Sequence, residues 1–352
     1  MAEMATVSHD NYTCRENLSC ISPQNLVADI LPPVLIIELL LGLPGNVVAL
    51  WIFTCRLKIW RVNTLFLFNL VLADFMLLIC LPFRIDNLLR GEYWVFGDAW
   101  CRINLFMLAV NRSASIAFMT SVAFDRYFKV VHPHHRINHM TSTQAGMVAG
   151  GIWAVVISLR VPLLATNLLR EHGNISLCRS FNFYTVIPPA ILLHYMVFIG
   201  EFFLPLLLLL FCSARIACIL RQRQLDKEKK VRRAIRVVVL IVAVFVLCFF
   251  PGIATGLVAL YIKQFRCWDC ESYKMAGQLF SLSIGFTYLN SALDPVIYCL
   301  SSSMFQNSLK SSINKMGLVE LRLSRREAWP AMGEGGNSGP FLQRQAPPSR
   351  RS

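Results

Sequence analysis

The run VVVLIVAVFVLCFF at 237–250 has no charged side chain and no proline or glycine. FFLPLLLLLF at 202–211 is nearly as apolar. A helix that crosses a membrane needs about 20 mainly apolar residues, and both runs sit inside stretches of at least that length. Seven such segments occur, at about 27–54, 63–90, 98–131, 142–166, 187–222, 230–262 and 272–300. In hydrocarbon every backbone polar group must be satisfied internally, so only helices or closed barrels span. The length of these runs selects helices. Composition agrees: 55% of the residues are hydrophobic and 15% charged, against roughly 25% charged in a soluble chain. The expected fold is an all-α membrane protein, a seven-helix transmembrane bundle.

The net charge of +14 would suggest nucleic acid on a soluble chain. Its placement excludes that reading. RLKIWR (56–61), RQRQLDKEKKVRR (221–233) and the tail after 301 carry much of the excess, and basic loops beside spans face the cytoplasm. An odd number of spans puts the two ends on opposite sides. The polar segment 1–26 has no apolar core of the signal-peptide kind, so the first span is expected to act as its own insertion signal. Asn11, Asn17 and Asn174 head glycosylation sequons, all on the side opposite the basic loops. The expected order is an extracellular, glycosylated segment 1–26, a seven-span domain 27–300, a short amphipathic helix 301–316 on the inner membrane surface, and a disordered cytoplasmic tail 317–352. The localisation expected is the plasma membrane, with membrane lipids as neighbours.

Twelve cysteines split by side. Cys55, Cys80, Cys212, Cys218, Cys248 and Cys299 lie in spans or near the inner face and read as small buried hydrophobes. Six lie on the outer side, where disulfides persist, and six allow fifteen pairings. The expected bridge joins Cys101, at the top of span 3, to Cys178, in the loop before span 5. A second is expected between Cys14 or Cys20 and Cys267 or Cys270.

The span ends carry further motifs. Span 3 ends in FDRYFKVVHPHH (124–135) and span 7 in NSALDPVIYC (290–299). Span 6 holds FVLCFFP (245–251), span 2 NLVLAD (69–74), and span 1 GN at 45–46. Together, from about 27 to 316, these resemble the rhodopsin-like G-protein-coupled receptors. Asp74 is a carboxylate inside the membrane, a residue type that faces the bundle interior and serves ions or switching. The resemblance implies that Asp74, Ser115, Asn290 and Asp294 line a sodium and water cluster. It implies that Asp125, Arg126 and Tyr127 form the inner latch and G-protein contact. It adds Phe249, Pro251, Asp294, Pro295 and Tyr298 as the moving parts of spans 6 and 7, where proline lets a helix bend. Phe249 stands where many members have tryptophan. The only lysine of span 7 is Lys274 at its outer end, which excludes a retinal Schiff base.

Within FMLAVNRSASIAF (106–118) lies one cation, Arg112. It is eleven residues below Cys101 and fourteen above Arg126, about 16 and 21 Å along a helix. That is near mid-membrane and on roughly the same face as Arg126. Three readings compete: pairing with an internal acid such as Asp74 or Glu201, solvation by a water-filled cavity, or capture of an anionic ligand. The guanidinium fork suits a carboxylate. No acid stands above it, at Asn104, Met107, Leu108 or Asn111, where amine receptors carry one. Arg84, Arg179 and His194 feed the same region, while Arg90 and Arg170 read equally well as solvated rim charge.

CLPFRID (80–86), YWVFGD (93–98), LAVNRSAS (108–115), EFFLPL (201–206) and FTYLNSALDP (286–295) look like the branch holding the hydroxycarboxylic acid and oxoeicosanoid receptors. That branch binds carboxylates through an arginine matching Arg112, with Asn87, Ser180, Phe181, His194 and Tyr288 at other pocket positions. Hydroxycarboxylic acid receptors carry a second arginine five residues after the span-6 proline. Here that residue is Gly256, as in the oxoeicosanoid receptor, which leaves room for a long acyl chain and makes Arg112 the expected single deep cation. Glu38 leans the same way. The expected function is a Gi-coupled receptor for a carboxylate lipid of the oxidised fatty acid type. The alternative is a small hydroxycarboxylic acid of the lactate, hydroxybutyrate or nicotinate type. An anion transporter would show repeat symmetry, which is not seen. An enzyme would need a nucleophile with its base or a metal motif; no HExxH or GxSxG occurs. No cofactor or metal is implied.

Overall fold

The computed structural model describes residues 25–57, 60–172, 175–179, 187–223, 229–265 and 270–315. Asn11, Asn17, Asn174, Ser180, Phe181, Cys14, Cys20 and Cys267 lie outside the described residues. Compactness divides the chain into residues 1–308 and 309–352, a boundary inside the last helix rather than before it.

In the first unit the seven expected spans are α1 (Asn25–Trp51), α2 (Val62–Leu89), α3 (Gly97–Val131), α4 (Ser142–Arg160), α6 (Pro189–Arg223), α7 (Lys229–Phe265) and α8 (Cys270–Ser301). A short helix α5 (Pro162–Ala165) follows α4. Six of the seven are long and apolar enough to cross a membrane. The seventh, α8, is 32 residues long, but it is less apolar because Tyr288, Asn290, Asp294 and Tyr298 are turned into the bundle and buried. The polarity is that of a membrane protein. Along α1 the side chains of Ile37, Leu40 and Leu41 are exposed while Glu38 and Asn46 are buried. Apolar surface faces lipid, and polar groups face protein.

Three details were not expected. The end of α1 loosens into a π-helix, Ile52–Arg56. The loop before span 5 holds a two-stranded antiparallel hairpin, β1 (Leu169–His172) with β2 (Ile175–Cys178). Span 4 is broken after Arg160, where Pro162 lacks the amide needed to continue the helix. At its other end α4 begins with a capping box: Thr141 accepts from the Gln144 amide and Gln144 accepts from the Thr141 amide, satisfying two donors at the helix start.

Gly45 explains the GN motif. A β-carbon there would stand 2.7 Å from Cγ of Pro295, so only glycine lets α1 pack this closely on Pro295 of α8. Asn46 donates to the Ser291 carbonyl at 2.8 Å, pinning the same contact. At the outer end the disulfide Cys101–Cys178 ties α3 to β2. The Trp94 amide donates to the Ser176 carbonyl at 2.9 Å, and Arg179 pairs with Glu92. At the inner end the last helix, α9 (Ser303–Lys315), begins with Phe305 buried against Phe53, ring centroids 5.3 Å apart. The described part of the second unit is the final stretch of α9.

Candidate functional site

The centre of the outer half is a charged layer made by α3, α4, α6 and α8. Arg112 is only 5% exposed. Its guanidinium lies over the ring of Phe198, 4.1 Å from the centroid, and 5.0 Å from that of Phe249. Both are cation–π distances. Nη1 donates a long bond of 3.4 Å to Thr287 Oγ1. Nε and Nη2 are buried and meet no hydrogen-bond acceptor among the described residues. A buried, unpaired charged donor is costly, so this geometry needs a reason.

The nearest acid is Glu201 of α6, with Oε2 at 3.8 Å from Arg112 Nε. That is an electrostatic contact and too long for a hydrogen bond. Glu201 is engaged elsewhere. Arg160 Nη2 donates to Oε2 at 2.6 Å, and Ser113 Oγ donates to Oε1. Ser113 Oγ also accepts from Arg160 Nε at 3.0 Å. Arg160 Nη1 lies 2.8 Å from His194 Nδ1. Arginine has no acceptor, so Nδ1 accepts and the imidazole proton is on Nε2. Arg160 is 1% exposed. The expectation that Arg112 is the only deep cation is therefore corrected: two buried guanidiniums share one carboxylate. The missed signal was present, since Arg160 is the only charged residue between Ser142 and Leu169. It lies inside the span expected at 142–166, as a charge within an apolar run.

The other pocket candidates form a second group nearer the hairpin. Arg84 Nη1 reaches the Cys178 carbonyl at 3.5 Å and interacts with the Tyr288 hydroxyl. Asn87 is buried on the same helix. Asp86 takes Arg90 into a surface pair at 2.7 Å, which places Arg90 on the rim. The room expected beside Gly256 is occupied. A β-carbon at 256 would stand 3.1 Å from Cε2 of Phe280, whose ring packs edge-on against Phe198.

Below Arg112 lies a polar core. Tyr298 donates to Asp74 Oδ2 at 2.6 Å, and its hydroxyl lies 3.3 Å from Asn46 Oδ1. Asn290 donates to Asp294 Oδ2 at 3.1 Å. Asp74 Oδ1, Ser115 Oγ, Asn290 Oδ1 and Asp294 Oδ1 are all buried without a hydrogen-bond partner among the described residues. A set of oxygens is the donor chemistry of a hard cation, so these residues fit the sodium cluster.

At the inner end, Arg126 is not held chiefly by Asp125, whose carboxylate takes Lys129 at 2.7 Å and stands 4.0 Å from Arg126. Arg126 Nη2 donates instead to the Ser301 carbonyl at 2.8 Å. Arg233 of α7 donates to the Leu300 carbonyl at 2.9 Å. Two cations thus sit on the C-terminal carbonyls of α8, where the helix dipole favours positive charge. Tyr127 packs with Phe124, Phe128 and His132, and Phe249 is buried beside Phe245.

The family model described as 7 transmembrane receptor (rhodopsin family) matches residues 45–298. Hydroxycarboxylic acid receptor 2 of Homo sapiens is 44% identical over 297 residues, covering 84% of this chain and 81% of its own length. Oxoeicosanoid receptor 1 of Homo sapiens is 42% identical over 281 residues, covering 80% of this chain and 71% of its own. The 12-(S)-hydroxy-5,8,10,14-eicosatetraenoic acid receptor of Mus musculus is 33% identical over 303 residues, covering 86% and 94%. These values do not separate the two sub-branches.

Proposed function

The chain belongs to the rhodopsin family of seven-transmembrane receptors, and on that premise we propose that it recognises a carboxylate-bearing lipid through Arg112 and signals through a Gi-class G protein. As a member of this family it is a multi-pass plasma-membrane receptor with a G-protein partner, and not an enzyme. Its N-terminus is read as extracellular from the sequons and the basic loops.

One observation carries the ligand reading. Arg112 is buried at mid-membrane with two donors that meet no acceptor, beside a carboxylate already taken by another arginine. An incoming carboxylate would accept from Nε and Nη2 in the bidentate manner that suits guanidinium. The relatives named for hydroxycarboxylic and eicosanoid acids support an acid as the ligand class.

The same residue couples binding to motion. Arg112 rests on Phe249 of α7, two residues before Pro251, and on Phe198 of α6. Drawing the guanidinium toward a ligand changes its contact with both rings, beside the proline where α7 can bend. The inner ends of α6 and α7 then part from α3 and α8, releasing Arg126 and Arg233 from the α8 carbonyls to meet the G protein. Asp74, Ser115, Asn290 and Asp294 would hold a sodium ion between these levels, supplying charge balance in the resting state.

A second reading, a small hydroxycarboxylic acid, is favoured by Phe280, which fills the space beside Gly256. The test is G-protein nucleotide exchange driven by 12-hydroxy-5,8,10,14-eicosatetraenoic acid, by its methyl ester, and by 3-hydroxybutyrate. The free acid is expected to act and the ester to fail. Undiminished potency of the acid on Arg112→Ala would remove the anchor.

A further inference from the structure

Arg160 lies outside the expected pocket, yet it is the best-satisfied side chain of the charged layer. All three of its donor nitrogens have a partner: Nε on Ser113, Nη1 on His194 and Nη2 on Glu201. Glu201 Oε2 lies 2.6 Å from Arg160 and 3.8 Å from Arg112. One carboxylate thus faces two guanidiniums and is bonded to only one of them. Charged groups in a low-dielectric interior are tolerated when paired, and this layer is short of one negative charge.

We propose that Arg160 is a positioning residue that keeps Glu201 away from Arg112, so that the anchor remains open to a ligand carboxylate. This rests on reading Arg112 as that anchor. Arg160 and Arg112 compete for the one carboxylate. With Arg160 present, each oxygen of Glu201 already accepts a bond, from Arg160 and from Ser113, and two donors of Arg112 meet no acceptor among the described residues. Without Arg160, the nearest cation to Glu201 is Arg112. A shift of about 1 Å brings their 3.8 Å contact to hydrogen-bond length. The layer is then neutral without ligand, and a ligand carboxylate must displace an internal one. Arg160 thus acts through Glu201 and does not touch the ligand.

The inference differs from a merely structural role for Arg160 in one respect: removing Glu201 as well should undo the damage. The variants Arg112→Ala, Arg160→Gln, Glu201→Gln and the Arg160→Gln/Glu201→Gln pair are expressed as full-length receptor. Nucleotide exchange with 12-hydroxy-5,8,10,14-eicosatetraenoic acid is measured at matched surface levels. Arg160→Gln is expected to lower potency by about tenfold or more. Glu201→Gln is expected to raise it about threefold, since the acid nearest Arg112 among the described residues is gone. The double variant is expected to return to the parent potency or above. Equal loss in the single and double variants, or unchanged potency in Arg160→Gln, overturns the proposal. If Arg160→Gln does not reach the surface, a loss of potency in Glu201→Gln overturns it. Full potency in Arg112→Ala is a different failure: it removes the anchor reading itself, whatever the Arg160 variants do.

Discussion

Two arginines stand fourteen residues apart on α3 and meet opposite surroundings. Arg126, at the inner end, donates to a backbone carbonyl at 2.8 Å and is one of two cations on the last turn of α8. Arg112, at mid-membrane, has no hydrogen bond shorter than 3.4 Å among the described residues, and two of its donors meet no acceptor there. The first has its partner inside the protein. The second is held in place by aromatic faces, which attract the cation without using its N–H groups. A cation positioned in this way is ready for an anion, whereas a cation bonded to a carbonyl must be released before it can do anything else. On the proposed function, the difference separates a binding group from a latch.

The largest effect expected follows from that contrast. Arg112→Ala should weaken binding of the carboxylate ligand by about 2–5 kcal/mol, the cost of truncating one side of a buried charge pair, or on the order of a hundredfold. Its maximal G-protein activation at saturating ligand should fall as well, because the guanidinium resting on Phe198 and Phe249 is gone. Arg126→Ala should instead keep ligand affinity within a few-fold of the parent while activation is lost. Displacement binding and nucleotide exchange on the same membranes separate the two. If both variants lose affinity alike, the distinction between anchor and latch fails.

Arg233 sharpens the inner half of the comparison. No acid occurs between Lys229 and Arg236 at the inner start of α7. That helix is held to α8 by Arg233 on the Leu300 carbonyl. A hydrogen bond from a charged group contributes about 1.5–3 kcal/mol. Arg233→Ala should therefore raise ligand-independent exchange by about tenfold. Unchanged basal exchange would show that Arg126 alone closes the inner end.

The contrast also shows what the chain reveals before folding. The spans were legible because lipid imposes long apolar runs, and their edges fell within a few residues of the helices. Arg112 was legible as a single charge in mid-run. Arg160 carries the same signal, a lone charge inside the span expected at 142–166. Its partner Glu201 lies 41 residues away, and nothing local links them. The hairpin β1–β2 was hidden because its strands are four residues each, too short for a period-two pattern to stand out. Phe280 was hidden for a similar reason. Gly256 announces space, but which ring from a neighbouring helix enters it depends on how α7 and α8 pack.

That last point can be tested as a change in selectivity. Phe280→Ala should empty the space beside Gly256 without touching Arg112. The potency of a twenty-carbon acid relative to 3-hydroxybutyrate should then rise by about tenfold, the gain from roughly 1.4 kcal/mol of added apolar contact. A parallel change for both acids would place the acyl chain elsewhere and leave Phe280 as packing only.

The smallest effect belongs to a third arginine, which completes the comparison. Arg90 bonds Asp86 at 2.7 Å, one helical turn back, and its side chain is about half exposed. Hydrogen bonding and charge attraction from Asp86 raise its pKa above the usual guanidinium value, so it stays cationic across any accessible pH. Yet water solvates both members, and exposed ion pairs contribute little. Arg90→Ala should leave ligand potency and thermal midpoint at the parent values, in low salt as in high. A loss of potency confined to low salt would instead mean that Arg90 steers the anion toward the outer mouth. On the first outcome, charge by itself does not make an arginine a recognition group. Arg90 carries the same charge as Arg112 and a shorter bond, and what it lacks is an environment that water cannot enter.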